Sequence, residues 1–434
     1  MIAANAHVKP LQRDAESRLI AENFGLFVHL VPGLTTNSNG EICNLEAISK
    51  FDVAAFASDL AKFKVQYLRF TAWHKDMIPL YPSGVMQKWR GSHAYLKRDV
   101  IGELIAELRP LGIKLQLYTH PRDGHDFSIE DRLKTGWGNG STDGSADPDG
   151  RSFDFKRWNA FIFEAYQELL VRYGSDISGI YLDEGSERGD SEWVVDYRGL
   201  RDLIKLRCPN AVMIQNYYGN LYSCDIADHE YGRWGDFSDL SGANWPTFKN
   251  QSISTVVGST FWAAVEDTAY DPGFEVVDLY RYLVMQIATS NSGGGVAFAA
   301  GPYSAQGWEP GVEKLLVDLG QLFDQNRESL EAVTASKRWP SPGGLTFSSV
   351  GWGVAVDHRT ESYLHILRPP AEGFIKLPRA ADGSSVNEVR RIAGGASIPF
   401  DVSTEGEITI DCRDVSRDSE DTVFVVSTTN EACD

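Results

Sequence analysis

Short apolar runs alternate with amphipathic stretches from Phe24 to Ala300, at the spacing of strand–helix units. Residues 24–31 predict a first strand and 53–63 the helix after it. A second strand is expected at 66–71. The next helix, at 100–108, should be stopped by Pro110 and Gly112, and a third strand follows at 114–119. Residues 158–173 place Phe161, Phe163, Tyr166 and Leu169 at helical spacing and end at Gly174. The fourth strand is expected at 179–182, the fifth at 211–215, the sixth at 259–263 and the last at 295–300, with a helix at 283–288 before it. No clear run marks the strand between the sixth and the last. Eight strands is therefore a count that the alternation implies and does not display.

The strand runs are nearly continuous in apolar residues, as when both faces of a parallel sheet are buried. After Pro340-Ser341-Pro342 the pattern changes to short alternating strands at 354–356, 363–366 and 422–426, separated by Gly, Asp and Ser turns. The expected fold is an α/β chain: a (β/α)8-like TIM barrel over residues 1–335, followed by a C-terminal all-β sandwich over 343–434.

Composition narrows the function. A net charge of −19 over 434 residues argues against nucleic acid and anionic membrane surfaces as partners. Five scattered cysteines show neither metal-ligand nor CxxC spacing, so no disulfide framework and no zinc site is expected. No run approaches the roughly 20 apolar residues of a membrane span. The N-terminus has no signal-peptide core, and the chain as given reads as cytoplasmic. A trimmed secreted or periplasmic form would look the same, and homo-oligomer formation stays open. Gly293-Gly294-Gly295 lacks the ending of a phosphate loop and precedes a strand, so a tight turn accounts for it.

The most informative stretch is Tyr181-Leu182-Asp183-Glu184 before Gly185. A carboxylate at the C-terminal end of a buried strand is where such a barrel presents catalytic groups. Glu184 points the other way on a period of two and reads as structural. The loop over 121–151, rich in Gly, Asp and Ser, lies at the same end and should shape a substrate site. At its start His120, Asp123, His125 and Asp126 form a cluster that invites a metal reading. Their spacing does not put two ligands one helical turn apart, so neither a metal nor another cofactor is expected.

In order along the chain, several segments resemble the α-L-fucosidases of glycoside hydrolase family twenty-nine. Phe24-Gly25-Leu26-Phe27-Val28-His29 is similar to FGIFxH, and residues 71–83, TAWHKDMIPLYPS, to TxKHHDGFxLWPS. Residues 97–104, KRDVIGEL, match KRDxVGEL. Leu117-Tyr118-Thr119-His120 falls at LYYS, the Asp183 segment at WFDG, and residues 422–426, TVFVV, at the closing TVIxL. The departures are Lys75 for the second histidine of HHDG, Met77 for its glycine and Tyr181 for the Trp of WFDG. No acidic-aromatic pair follows the first strand, and no arginine lies in 215–220.

The resemblance implies a retaining exo-glycosidase acting on a glycoside or oligosaccharide with a terminal α-linked fucose or related sugar, in a rebuilt sugar pocket. It implies Asp183 as nucleophile and Glu230, in the loop after the fifth strand with Asp225 ahead of it, as acid/base. Tyr231 and Trp234 would help to keep Glu230 protonated. Glu266 is the alternative acid/base. His29, His74, Trp73, Tyr118, His120 and Tyr181 are the expected substrate-binding residues. Two other classes stay open: a non-catalytic carbohydrate-binding barrel, and a metal-dependent barrel isomerase or aldolase built on His74, His120 and nearby acids.

Overall fold

A computed structural model describes residues 22–137, 153–183, 194–216, 224–231, 251–257, 275–289, 295–340, 351–418 and 420–429. Eight strands come first: β1 Phe24–Val28, β2 Tyr67–Trp73, β3 Lys114–Thr119, β4 Gly179–Leu182, β5 Val212–Asn216, β6 Ile226–Tyr231, β7 Gln251–Val256 and β8 Val296–Ala299. Each pairs in parallel with the next. The sheet curls until β8 returns to β1, with Phe24 opposite Val296 and Phe27 opposite Ala299.

Strand periodicity sorts the side chains to two sides of this sheet. Phe27, Tyr67, Tyr118, Tyr181, Val212, Ile214, Ile226, Ala297 and Ala299 form one buried cluster inside the curl. Their neighbours in sequence, among them Leu26, Leu68, Leu117, Ile180 and Phe298, join helix residues such as Phe56, Leu104 and Trp158 outside it.

The helices start where short acceptors precede apolar periodicity. Asp52, Ser83, Asp99, Asp154 and Asp196 each accept a hydrogen bond from a backbone N–H in the first turn of the helix that follows. Caps of this kind contribute about 1 kcal/mol each. The helix Val100–Leu111 runs past its expected stop, with Pro110 in its last turn, and ends at Gly112 in the left-handed conformation. That stop is the backbone freedom of Gly112, φ 71°.

The sixth strand is not where the apolar pattern put it. It is Ile226–Tyr231, and β7 follows at Gln251–Val256. Residues 259–263 lie outside the described residues. IADHEY carries three ionisable groups in a row, which hides a strand from any search for apolar runs.

The C-terminal strands form two antiparallel sheets. β9 Thr334–Ala335, β10 Gly353–His358, β11 Glu361–Ile366, β13 Ser385–Arg391 and β16 Thr422–Thr429 lie in the order β13-β16-β11-β10-β9. β12 Phe374–Leu377, β14 Phe400–Val402 and β15 Ile408–Asp411 lie in the order β12-β15-β14. Val354, Val356, Tyr363, Val423 and Val425 join the main core, and β9 and β10 contact the helix Val276–Thr289. Ala355, Leu364, Ile366, Phe424 and Val426 join Ile375, Leu377, Ile408 and Ile410 of the smaller sheet. Among the described residues no helix is long and apolar enough to cross a membrane.

One contact decides a stability question against simple propensity. Gly320 is buried in the helix Val312–Gln325, where alanine would be the better helix former by about 1 kcal/mol. A Cβ there would lie 2.1 Å from the backbone oxygen of Phe63, which cannot swing aside. Gly320→Ala should therefore destabilise the protein, by roughly 1–3 kcal/mol from overpacking. Urea unfolding measures it, and a higher midpoint for the variant would contradict this packing.

Candidate active site

Asp183 is the residue immediately after β4, at the C-terminal end of the parallel sheet, and is 7% exposed. Its backbone N–H donates to the Thr119 carbonyl at 3.0 Å, so β3 fixes where the side chain starts. The Tyr118 hydroxyl donates to Oδ2, and the Asn216 amide donates to Oδ1 at 2.8 Å. Burial, reinforced by the Asp183 carboxylate, pushes the Tyr118 phenol well above its ordinary range, so it remains a donor at neutral pH.

Aromatic rings and imidazoles gather around this carboxylate. Tyr118 stacks on Tyr181 with ring centres 5.3 Å apart, and His29 meets Tyr118 edge-on at 4.6 Å. His74 lies 5.2 Å from His29 and stacks on His120 at 5.2 Å. His29, Tyr118, Asp183, His74, His120 and Tyr181 are thus brought together from the ends of β1 to β4. Below them Tyr181 reaches Asp228 on β6 at 3.3 Å.

Hydrogen bonding assigns the imidazole protons. The Thr71 hydroxyl donates to the Val28 carbonyl at 3.1 Å, so it accepts from His29 Nδ1–H at 2.6 Å. Neutral His29 therefore presents Nε2 as an acceptor. Burial, then the charges of His74 and His120, hold His29 well below the usual histidine range. His74 Nδ1 donates to Asp123 Oδ2 at 2.8 Å, so the neutral form of this ring offers Nε2 as an acceptor. His120 Nδ1 accepts the Arg122 backbone N–H at 3.3 Å in the neutral form of this ring, in which Nε2–H is the donor. Two acceptors and one donor side by side suit a ligand that offers neighbouring hydroxyls.

Asp123 is the residue this reading gains from the structure. It is 2% exposed and lies among His74, His120 and His125. Burial works against its charge, but His120 and His74 outweigh it and hold the carboxyl below its ordinary range. Asp123, His125 and Asp126 also offer ligand atoms within 4.8 Å of one another, a set that could hold a cation.

The alpha-L-fucosidase family model matches residues 43–328, well over half of the chain. The chain belongs to that family. Putative alpha-L-fucosidase 1 of Oryza sativa subsp. japonica is 26% identical over 200 residues, 44% of this chain and 33% of the relative. The chain thus spans about a third of the length of that curated relative. Two solved structures share the fold. Alpha-L-fucosidase isoenzyme 1 from Paenibacillus thiaminolyticus has a TM-score of 0.67 at 18% identity, over 97% of this chain and 100% of its own. A Bacteroides thetaiotaomicron alpha-L-fucosidase, trapped as a covalent intermediate with 2-fluoro-fucosyl fluoride, has 0.70 at 14%, over 99% of each.

Several expected fucosidase-like positions fall elsewhere. Trp73 is fully buried on the helix side of the sheet, edge-on to Tyr166 at 5.1 Å, with its indole N–H donating to the His120 carbonyl. It is core packing that orients His120 and offers no face to a sugar. Glu230 lies on β6, two residues after Asp228, and not in a loop. Asp225 sits at the opposite end of β6, where it accepts the Met213 N–H at 2.8 Å and pairs with Arg201 and Lys205. Its role is to tie β6 to β5. Glu266 and Trp234 lie outside the described residues, as do Glu184 and residues 217–220. A cavity of about 900 Å³ opens at the other end of the strands, lined by Gln66, Lys114 and Ser178. That end of such sheets serves stability, not chemistry.

The proton assignment can be tested directly. In 15N spectra of labelled protein, His29 should show the Nδ1–H tautomer and should titrate well below the ordinary histidine value of about 6.5, because burial and the neighbouring imidazoles depress it. A His29 resonance that titrates near pH 6.5 would overturn the assignment.

Proposed function

We propose that this chain is a retaining exo-glycosidase that removes a terminal α-linked fucose or a related sugar. The single observation that carries the proposal is Asp183: a strand-end carboxylate held on both oxygens by Tyr118 and Asn216, with a row of three imidazoles packed against Tyr118. Family membership supports the same chemistry. We read the parallel sheet and its helices, residues 1–335, as a (β/α)8-like barrel. Residues 343–434 are read as a β-sandwich.

In this proposal an Asp183 oxygen attacks the anomeric carbon while Glu230 donates its proton to the departing glycosidic oxygen. The C–O bond to the leaving group breaks as the aspartyl ester forms. Water then enters from the vacated side, Glu230 takes its proton, and the ester C–O bond breaks with net retention. His29 and His74 accept from sugar hydroxyls, His120 donates, and Tyr118 and Tyr181 floor the pocket. The covalent intermediate named for the Bacteroides protein is consistent with the double displacement. Glu266 is the alternative acid/base.

Three departures shape the expected substrate: Lys75 in place of histidine, no arginine in 215–220, and no acidic-aromatic pair after the first strand. Each lost hydrogen bond to a buried sugar hydroxyl costs roughly 1–3 kcal/mol. Simple aryl α-L-fucosides are therefore expected to be poor substrates compared with a related glycone. A metal-dependent reaction is the second reading, favoured by the proximity of Asp123, His125 and Asp126.

One panel separates these readings. Aryl α-L-fucoside, β-D-fucoside, α-L-galactoside and arabinosides are assayed with wild type, Asp183→Ala and Glu230→Ala, with and without strong chelator. Asp183→Ala should lose turnover by several powers of ten while keeping its fold. Glu230→Ala should slow poor leaving groups far more than activated ones, and azide should give a glycosyl azide of retained configuration. Near-normal kcat in Asp183→Ala rejects the nucleophile. Turnover that vanishes with chelator favours the metal reading.

A further inference from the structure

We infer that Asn216 is a positioning residue for the reaction, aiming and charging the Asp183 carboxylate from β5; the inference rests on Asp183 being the nucleophile. Asn216 is the last residue of β5, one step beyond the pair Leu182 and Gln215 in the register with β4. It stands level with Asp183 on the neighbouring strand. The amide is 1% exposed and donates to Oδ1 at 2.8 Å, while Tyr118 donates to Oδ2 from β3, on the other side of β4.

The terminal torsion of an aspartate is broad and roughly two-fold, so packing alone does not fix the carboxylate plane. Donors on different oxygens from both flanking strands do fix it. The Asp183 backbone is held as well, through its N–H to Thr119, whose hydroxyl donates to the Tyr181 carbonyl at 2.7 Å. The amide also does what a second acid could not. It is neutral at every working pH, has N–H to give and no proton to lose, and so favours the charged form of the carboxylate it touches. A nucleophile must be charged before it attacks. Losing this donor should cost aim and should move the pH at which activity appears.

The test uses the full chain and the best glycoside from the panel. Asn216→Leu keeps the branching of the side chain and removes the donor. Its kcat should fall about 100-fold, the scale for losing one preorganised donor or misplacing a reacting group. The acid limb of its kcat/KM profile should move to higher pH. Asn216→Asp should move that limb further, because two carboxylates in contact resist sharing charge. A structural role alone would lower the unfolding midpoint without moving the limb. Asn216→Ser, less disruptive to packing, gives the same readouts if the leucine variant does not fold. A folded variant with wild-type kcat and a wild-type acid limb overturns the inference. Asp183→Ala separates the two claims. If it is inactive while Asn216→Leu is normal, only the positioning role falls; if it is active, the nucleophile assignment falls first.

Discussion

The geometry of the site depends on one buried ion pair beneath it. Arg69, in the middle of β2, is 1% exposed and lies 3.1 Å from Asp228, which is fully buried on β6. The two strands are far apart in the order of the sheet, so the pair spans the interior of the curl. Ser254 on β7 donates to Asp228 at 2.6 Å and accepts from Arg69 at 2.8 Å, while Gln116 on β3 accepts from Arg69 at 3.3 Å. Burial opposes the guanidinium charge, but Asp228, joined by the phenol groups of Tyr67 and Tyr181, outweighs it and holds Arg69 above its ordinary value. Removing one partner of such a pair typically costs about 3–5 kcal/mol, because the other charge is left buried.

That layer sets the height of everything above it. The guanidinium lies 4.6 Å from the centre of the Tyr181 ring, Tyr181 stacks on Tyr118, and Tyr118 donates to Asp183. Charge, ring, ring and carboxylate form a continuous column from the middle of the sheet to its C-terminal end. The histidines are fixed separately, by Thr71 and Asp123 at the rim. The nucleophile candidate and the hydroxyl-binding candidates thus rest on different supports.

What the sequence made legible follows from where the polar groups sit. Phe24 to Val28 and Gly179 to Leu182 are apolar on both faces, so their strands stand out, and Asp183 stands out as the first carboxylate beyond one of them. β6 was missed because its inward face carries Asp228, whose partner Arg69 lies on another strand. A charge paired 159 positions away (|i−j| between 69 and 228) is invisible to periodicity, which sees only near neighbours. Trp73 misled for the opposite reason. Its place beside His74 in the motif suggested a ring near the sugar, but the register shift between Thr71 and Trp73 breaks the alternation that puts Arg69 and Thr71 inside, and the indole went to the core. The backing of His74 by Asp123 joins two loops and has no local signature.

The departure at residues 75–77 is where physics says most about how this member differs. Asp76 and Met77 both have positive φ, 56° and 41°, in the turn that follows His74. The family pattern has glycine at the second of these positions, where a left-handed backbone is free of strain. A non-glycine residue so placed costs of order 1–3 kcal/mol. Met77 is fully buried, and burying such a side chain contributes about 1.5–3 kcal/mol, which is of the same size and offsets the strain. Arg90 adds a donor to the Asp76 carbonyl and ties the turn to the next helix. The turn therefore keeps the shape that glycine would give it, and it is anchored where glycine would leave it loose. Lys75 projects from this fixed turn towards Gly33, in the segment after β1, with its Cδ 3.9 Å from where a Cβ on Gly33 would stand. The substitution at residue 75 is thus presented on a turn that the burial of Met77 and the Arg90 hydrogen bond hold in place.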